Sequence, residues 1–354
     1  MKVPKANKSK LSNKEKSNIL KELKLVSRSF YLTLRILPNT VFAPAGVAYL
    51  IARYIDNIVD NKSVSIASKK NRICELRTTF TTNRSNVAKS LNPNTNQSST
   101  SILTYKNLFD TLHYDDRNLV SKVLLEITDG MIFELEKFDK YSPNKIKSLN
   151  TYIELDNYIY KIAGSVGEFF TELILLHEPK LKLSDTSYFF DIAIEFGKAL
   201  QLTNILRDFK ADLIEGKCYF PQSSLASYNI HPSDLLNDSQ DKIEIVLNEL
   251  LQLAIKYYSK ASSYILYIPK TCPRLRLAAL WPLLIGIETL NELVSSKEWS
   301  TSNKPIKVKR KWIYLMLMKS FPVIYNDTIM KFMIKRQIKK LKDKISNVES
   351  KFTR

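Results

Sequence analysis

Apolar residues recur at helical spacing, at i, i+3, i+4 and i+7, through most of this chain, and alternating strand-like runs are scarce. The pattern predicts an all-α fold. The predicted helices cover residues 17–36, a segment that begins near Pro44 and carries Asp60, and then residues 102–113, 117–138, 150–177, 185–215, 241–268, 273–296, 308–320 and 326–348. Pro44 is expected at the first position of its helix. The Asn-, Ser- and Thr-rich residues 92–101 are expected to form a loop.

Three regions follow from the same pattern. Residues 1–16 are polar and basic, so they are predicted to be a disordered basic arm. Residues 17–325 are predicted to be one helical domain, because no composition break separates two cores and no repeat of fixed period occurs. Residues 326–354 are strongly basic and are predicted to be a C-terminal helix or tail.

Composition excludes several classes of protein. Only seven glycines occur in 354 residues, which argues against a Rossmann sheet, a P-loop protein or a β-barrel. The three cysteines and three histidines are scattered, so neither a disulfide framework nor a zinc site is expected. Unpaired cysteines indicate a reducing compartment, and we therefore predict a cytoplasmic location.

The formal net charge of +19 favours an anionic partner, although a Lys- and Asn-rich composition typical of an AT-rich genome also explains it. Nucleic-acid binding is not expected, because basic residues concentrate at the chain ends. No apolar run of about 18 residues predicts a membrane span. Residues 277–287 are the nearest candidate, but they are too few and include Pro282. The N-terminus lacks an apolar signal region. The basic final helix is a candidate for peripheral contact with a membrane.

Two polar stripes on otherwise apolar helices carry the chemistry. At about 100° per residue, the first stripe spans an arc of about 60° and the second an arc of about 80°. The first consists of Tyr49, Arg53, Asp56 and Asp60. The second consists of Gln201, Asn204, Asp208 and Asp212. Carboxylates in such a setting need a compensating cation, and oxygen ligands alone suit Mg²⁺, which also binds diphosphates. The stripes therefore predict a diphosphate-handling enzyme.

Four segments of this chain resemble the squalene/phytoene synthase family, the head-to-head prenyltransferases. They are SRSF (27–30), ARYIDNIVD (52–60), YIYKIAGSVGEF (158–169) and QLTNILRDFKADLIEGKCYFP (201–221). The order and approximate spacing are those of the family, and the resemblance covers roughly residues 20–320. It implies an isoprenoid synthase-type helical bundle around a central cavity, with the two Asp motifs on opposite walls.

The resemblance also implies a role for each matching residue. The implied Mg²⁺ ligands are Asp56, Asp60, Asp208 and Asp212. The implied diphosphate-binding residues are Ser27, Tyr49, Arg53, Gln201, Asn204 and Lys217. The implied catalytic residues are Tyr158, Tyr160, Arg53 and Arg207. Read without the family, Ser27 is a helix cap or surface residue, Lys217 follows a Gly cap, and the tyrosines are core residues.

Two glycines stand inside the predicted helix 150–177. Gly164 and Gly167 imply either close approach by a neighbouring helix or room for an isoprenoid chain. Three positions depart from the family. Asn57 and Ala211 stand where many members have a further carboxylate, and Lys161 stands where some have tyrosine.

The implied reaction is head-to-head condensation of two farnesyl diphosphates through presqualene diphosphate to squalene, with Mg²⁺ as cofactor and NADPH as hydride donor. The preference for farnesyl diphosphate rests on residues 274–282 and 307–310, which look more like squalene-type members. A phytoene or dehydrosqualene synthase, which uses no hydride, is the first alternative. A non-catalytic assembly factor is the second. A terpene cyclase is disfavoured, because it would normally show one Asp-rich motif rather than two.

Overall fold

The computed structural model describes residues 12–26, 28–81, 98–138, 146–178, 181, 185–237, 240–296 and 306–352. The chain divides into two compact units, each made of two separate segments. Unit 1 comprises Met1–Leu135 and Glu168–Ser184, and unit 2 comprises Glu136–Gly167 and Asp185–Arg354. The prediction of one helical domain over residues 17–325 stays a prediction, and a change in composition could not mark these units because neither is a continuous stretch.

All the regular secondary structure that the structure describes in unit 1 is helical. Its helices are α1 (Asn13–Val26), α2 (Arg28–Ile36), α3 (Asn39–Val59), α4 (Ile66–Thr81), α5 (Ser98–Asp110), most of α6 (Tyr114–Lys137) and most of α8 (Ser165–His177). Helix α3 packs against α1, α2, α4 and α5. Its side chains Phe42, Ile51 and Ile55 are almost fully buried, together with Ile19 and Leu23 of α1.

Unit 2 is built around one long central helix. Its elements are β1 (Lys147–Leu149), α7 (Tyr152–Ile159), a π-helical segment (Tyr160–Gly164), α9 (Thr186–Ile214), β2 (Lys217–Pro221), α10 (Gln222–Ser227), α11 (Asp234–Asn237), α12 (Gln240–Tyr267), α13 (Pro273–Ser295), α14 (Arg310–Val323) and α15 (Asp327–Phe352). Helix α9 packs against α12, α13 and the π segment. Strands β1 and β2 form a short parallel pair, in which Lys147 lies opposite Lys217.

The all-α prediction is confirmed, and α9, α12 and α13 match their predicted ranges within two residues. The start of α3 was predicted wrongly. This helix begins at Asn39, so Pro44 lies inside it. The carbonyl of Pro38 accepts the first helical hydrogen bonds, from Val41 at 3.1 Å and Phe42 at 2.8 Å. Pro44 has no N–H, so it removes one backbone hydrogen bond from the second turn of the helix.

The N-terminal boundary also differs from the prediction. Helix α1 begins at Asn13, so residues 13–16 of the predicted disordered arm are helical, while residues 1–11 lie outside the described residues. Ser12 and Glu15 form a capping box. The Ser12 N–H donates to Glu15 Oε2 at 2.7 Å, and the Glu15 N–H donates to Ser12 Oγ at 3.2 Å. Helix α5 likewise begins at Ser98, within the predicted loop.

Glycines allow α9 to approach the π segment and the start of α8 at backbone distance. A Cβ added at Gly167 would lie 2.1 Å from the Ala193 carbonyl oxygen. A Cβ added at Gly197 would lie 2.0 Å from the Ala163 carbonyl oxygen. Of the two interpretations of the in-helix glycines, the structure therefore shows the close approach of a neighbouring helix.

One helix in the described part of the chain, α13, is long and apolar enough to cross a membrane. However, 78% of its apolar window is buried inside the protein, as in a core helix. The final helix is more than a solvated tail, because α15 buries a stripe against α12 and α13. That stripe consists of Met330, Ile334, Ile338, Leu341 and Ile345.

Candidate active site

The first polar stripe occupies one side of a helix whose other sides are packed. Tyr49, Arg53 and Asp56 are partly exposed, and Asp60 is exposed at the C-cap of α3. The intervening Leu50, Ile51, Ile55 and Val59 are buried. Spacing by three or four residues therefore puts these polar groups on the one face that α3 does not bury.

The carboxylates of this stripe carry negative charge that the protein itself does not fully neutralise. Arg53 Nη1 donates to Asp56 Oδ2. Burial nevertheless raises the pKa of Asp56 to about 6, and the charges of Asp60 and Glu134 add to that rise, so that together they outweigh Arg53. A cation bound here would relieve the cost of holding these carboxylates together.

The second stripe lies on α9 in the same arrangement. Gln201, Asn204, Asp208 and Asp212 are all partly exposed, whereas the neighbouring Leu202, Ile205, Leu206 and Phe209 are buried. The side-chain amide of Asn204 donates to Gln201 Oε1 at 3.4 Å. These two residues therefore present a joined polar surface one turn before Asp208.

Arg207 holds Asp208 through both of its oxygens. The Nε and Nη2 groups donate to Oδ1 and Oδ2 at 2.9 and 2.5 Å. Burial lowers the pKa of Arg207, but the hydrogen bond and charge of Asp208 and the charge of Asp212 prevail, so the pKa is raised overall. A cation that binds Asp208 must share these oxygens or displace the guanidinium.

The two candidate catalytic tyrosines lie where helix α7 gives way to the π segment. Tyr158 is 4% exposed and stacks on Tyr219 of β2, with ring centroids 5.2 Å apart. Phe138 packs edge-on against the same Tyr219 ring at 5.2 Å. Tyr160 is the first residue of the π segment. The sequence predicted an uninterrupted helix here, and π segments within helices often mark functional sites.

Lys217 follows the tight turn at the C-terminal end of α9. Glu215 caps the helix, Gly216 follows with φ at 79°, and Lys217 opens β2. Its Nζ atom is 3.9 Å from Glu215 Oε2. The Lys147 N–H donates to the Gly216 carbonyl at 3.0 Å, which ties this turn to β1. The prediction that Gly216 terminates the helix is confirmed.

A partly buried charge network that the sequence did not reveal links α7 to α9. Lys198 Nζ donates to both oxygens of Asp156, at 2.9 and 2.7 Å, and the Tyr257 hydroxyl donates to Asp156 Oδ1 at 2.7 Å. Lys198 lies one turn before Gln201, and Asp156 lies two residues before Tyr158. The network therefore positions both sets of predicted site residues in unit 2, but nothing in the sequence links residues so far apart.

The structure brings predicted site residues together within each unit, and Ser27 lies outside the described residues. Over the described ranges, no group of three or more His, Cys, Asp or Glu side chains is placed to hold a metal. The donors are instead pairs of carboxylates one helical turn apart. Such pairs fit Mg²⁺, which keeps several waters and takes its remaining ligands from substrate phosphates.

Comparison with known proteins gives consistent results. The profile of the family described as squalene/phytoene synthase matches residues 23–312. The squalene synthase of Schizosaccharomyces pombe is 24% identical over 291 residues, which are 80% of this chain and 61% of that protein. The phytoene synthase of Arthrospira platensis is 37% identical over 118 residues, which are 32% of this chain and 38% of that protein.

Similarity of structure extends over nearly the whole chain. The structure of TcSQS in complex with the ligand BPH1237 matches with a TM-score of 0.74 at 17% identity, covering 95% of this chain and 96% of that chain. At this identity the likeness shows the fold, which is the helical isoprenoid synthase fold. This chain spans less than two thirds of the length of both relatives compared by sequence.

Proposed function

This chain belongs to the squalene/phytoene synthase family, and on that basis we propose that it joins two farnesyl diphosphates head to head, through presqualene diphosphate, to squalene. Members of the family are prenyltransferase-type enzymes that act on prenyl diphosphates. The observation that carries the proposal is that both Asp pairs stand on a polar stripe of a packed helix, each beside an arginine.

We propose that Asp56 with Asp60, and Asp208 with Asp212, hold Mg²⁺. When bound, Mg²⁺ neutralises the diphosphate and makes it a leaving group. Arg53 and Arg207 would bind the diphosphate oxygens that Mg²⁺ does not coordinate, because each guanidinium already lies beside a predicted metal ligand. The remaining proposed diphosphate contacts are Ser27, Tyr49, Gln201, Asn204 and Lys217.

The chemistry requires stabilisation of a carbocation. The C1–O bond of one prenyl diphosphate breaks, and its electron pair leaves with the diphosphate. The double bond of the second substrate attacks C1, and loss of a proton closes a cyclopropane. We propose that Tyr158 and Tyr160 face this cation, since an aromatic ring attracts positive charge. The Tyr158 ring is already held by its stacking on Tyr219, which reduces the cost of orienting it.

The second ionisation leads to squalene only when a hydride is delivered, for which we propose NADPH. Proton loss instead gives a dehydrosqualene- or phytoene-type product. A phytoene-type synthase is therefore the second candidate function. It is favoured by the 37% identity to a phytoene synthase over 118 residues, which is higher than the 24% identity to the squalene synthase over 291 residues.

The proposal is tested by incubating the full chain with Mg²⁺ and either farnesyl or geranylgeranyl diphosphate, with and without NADPH. Mass spectrometry of the products is expected to show squalene from farnesyl diphosphate when NADPH is present. A hydrogen-poorer product in both conditions would support the second candidate. No diphosphate release from either substrate would contradict enzymatic function and favour the assembly-factor alternative.

The site assignment has its own test. Asp56→Asn and Asp208→Asn are each expected to lower kcat/KM by about 10³-fold, because electrostatic stabilisation of the leaving group is lost. Asp191→Asn is the matched control, since Asp191 is an exposed aspartate on α9, the helix that also carries Asp208. Wild-type turnover by either site variant would contradict the assignment.

A further inference from the structure

One face of helix α14 is apolar and exposed to solvent. Tyr314, Met318 and Phe321 are 66%, 72% and 51% exposed. At about 100° per residue they fall within an arc of about 60°. The buried residues of this helix, Met316 and Ser320, lie on the opposite side. An amphipathic helix normally buries its apolar face, so this arrangement is the reverse of the usual one.

Three more large apolar side chains are exposed in the turn after α14 and at the start of α15. Tyr325, Ile329 and Phe332 are 58%, 50% and 65% exposed. They follow Phe321 at intervals of four, four and three residues. We call Tyr314, Met318, Phe321, Tyr325, Ile329 and Phe332 the apolar patch. Soluble proteins rarely expose so many large apolar side chains in one short segment, and such patches mark interaction surfaces.

Basic residues accompany the patch along the chain. From Ile306 to Asn326 the sequence holds five Lys or Arg residues and no Asp or Glu. In α15, Lys331, Lys335 and Arg336 are exposed and form no ion pair among the described residues. Lys340 and Lys344 differ, because they reach Glu288 and the Asn291 carbonyl of α13. The outer face of α14 and the start of α15 therefore combine apolar and positive groups.

We propose that the apolar patch and its basic border dock on an anionic lipid bilayer. Tyrosine, phenylalanine and methionine side chains insert at the boundary between headgroups and acyl chains, while lysine and arginine bind acidic headgroups. A second copy of this chain fits less well, because a symmetric contact would set two positive borders against each other. The inference rests on this surface alone and does not depend on the proposed reaction.

The test is co-sedimentation of the full chain with phosphatidylcholine vesicles that contain about 30% phosphatidylserine. The wild-type chain is expected to bind them, to bind pure phosphatidylcholine weakly, and to be released by salt. Met318→Ser with Phe332→Ser is expected to lower the partition coefficient about tenfold or more, because two apolar side chains no longer insert. Both side chains are mostly exposed, so folding should be retained.

The matched control replaces Leu25 and Ile153 by Ser, since these side chains are 84% and 74% exposed but lie outside the patch. It is expected to bind vesicles like the wild type. Lys331→Gln with Arg336→Gln tests the basic border separately and should weaken binding to anionic vesicles alone. Asp208→Asn should bind normally, which separates this inference from the proposed reaction.

Two results would overturn the proposal. One is the absence of wild-type binding to anionic vesicles. The other is equal binding by the wild type and the Met318→Ser/Phe332→Ser variant. If light scattering instead showed a wild-type dimer that this variant dissolves, without vesicle binding, the patch would belong to a contact between copies.

Discussion

Individual charged residues differ in how completely the protein neutralises them. Asp116 and His177 are buried, and His177 Nε2 lies 2.6 Å from Asp116 Oδ1. Arg276 is fully buried, and its guanidinium donates to the Ile324 carbonyl and to Asp327. Asp56, by contrast, keeps a raised pKa in spite of Arg53. The first two groups find their partners within the fold, whereas Asp56 is a group for which we propose a bound cation as the missing partner.

Removing either partner of the Asp116–His177 pair is expected to destabilise unit 1. His177→Ala and Asp116→Ala should each lower the free energy of unfolding by about 3–5 kcal/mol, because each change removes the 2.6 Å contact between His177 Nε2 and Asp116 Oδ1 in the buried interior. The measurement is the midpoint of denaturant unfolding followed by circular dichroism.

Asp110→Ala provides the control for this pair. Asp110 is paired with Lys106 on the surface of α5, and its side chain is 48% exposed. Its loss should change stability by no more than about 1 kcal/mol. Equal losses of stability at positions 110 and 116 would show that burial does not determine how much each pair contributes to the free energy of unfolding.

At the scale of elements, apolar periodicity predicted the long helices because they bury continuous stripes. It placed α9, α12 and α13 correctly, and the predicted Asp pairs lie on helices except for Asp60, which is the C-cap residue of α3. It missed the π segment at Tyr160–Gly164, since one extra residue in a turn leaves the apolar pattern almost unchanged. It also missed the β1–β2 pair, because three- and five-residue strands are too short to show alternation.

Contacts between distant elements could not be predicted at all. Lys198, Asp156 and Tyr257 meet only because α7, α9 and α12 pack together. The two in-helix glycines did suggest close packing, but the sequence did not identify Gly197 as the glycine on the facing helix. The glycines in the sequence thus predicted that a helix packs closely here, whereas only the structure shows which helix it is.

The close approach of α9 and the π segment leads to a prediction. Gly197→Ala should destabilise the protein by about 3 kcal/mol or more, because its Cβ would lie 2.0 Å from a backbone oxygen that cannot rotate away. Thermal unfolding measures the loss. Turnover should fall as well, since α9 carries Asp208 and the π segment carries Tyr160.

Gly46→Ala is the comparison for this variant. Its added Cβ would meet a methyl group of Ile19 at 3.0 Å, and a side chain can shift by the small amount required. Better helix propensity offsets that strain, so the net change should stay within about 1 kcal/mol. Similar losses from both variants would contradict the proposed role of the backbone contact.

For the whole molecule, the net charge of +19 means that many anions will bind weakly. A specific diphosphate site must therefore be distinguished from general attraction. Each of the two discontinuous units carries one of the Asp pairs, so a ligand could bind to either unit. The thermal stability of the entire chain is therefore a suitable measure of ligand binding.

Mg²⁺ and inorganic pyrophosphate added together are expected to raise Tm by about 4 °C at concentrations near 100 times the Kd. Either one alone should do much less, if the carboxylate pairs accept a diphosphate only through Mg²⁺, as we propose. EDTA should remove the effect. Differential scanning fluorimetry is a sufficient measurement.

Sulfate at equal ionic strength, with Mg²⁺, controls for the general effect of anions on a basic protein. Asp56→Asn and Asp208→Asn should each diminish the pyrophosphate shift while leaving the sulfate response unchanged. An equal shift from sulfate and pyrophosphate would contradict a dedicated site.

The attachment of α14 has a consequence for how this region can vary. Trp281 Nε1 donates to Ser320 Oγ at 2.9 Å, and Arg276 Nη1 donates to the Ile324 carbonyl at 2.6 Å. Both donors belong to α13, so the position of α14 is set by these two contacts and not by the length of the chain between Ser296 and Ile306. A change in the length of the chain between Ser296 and Ile306 is therefore expected to leave the orientation of α14, and of the surface that follows it, unchanged.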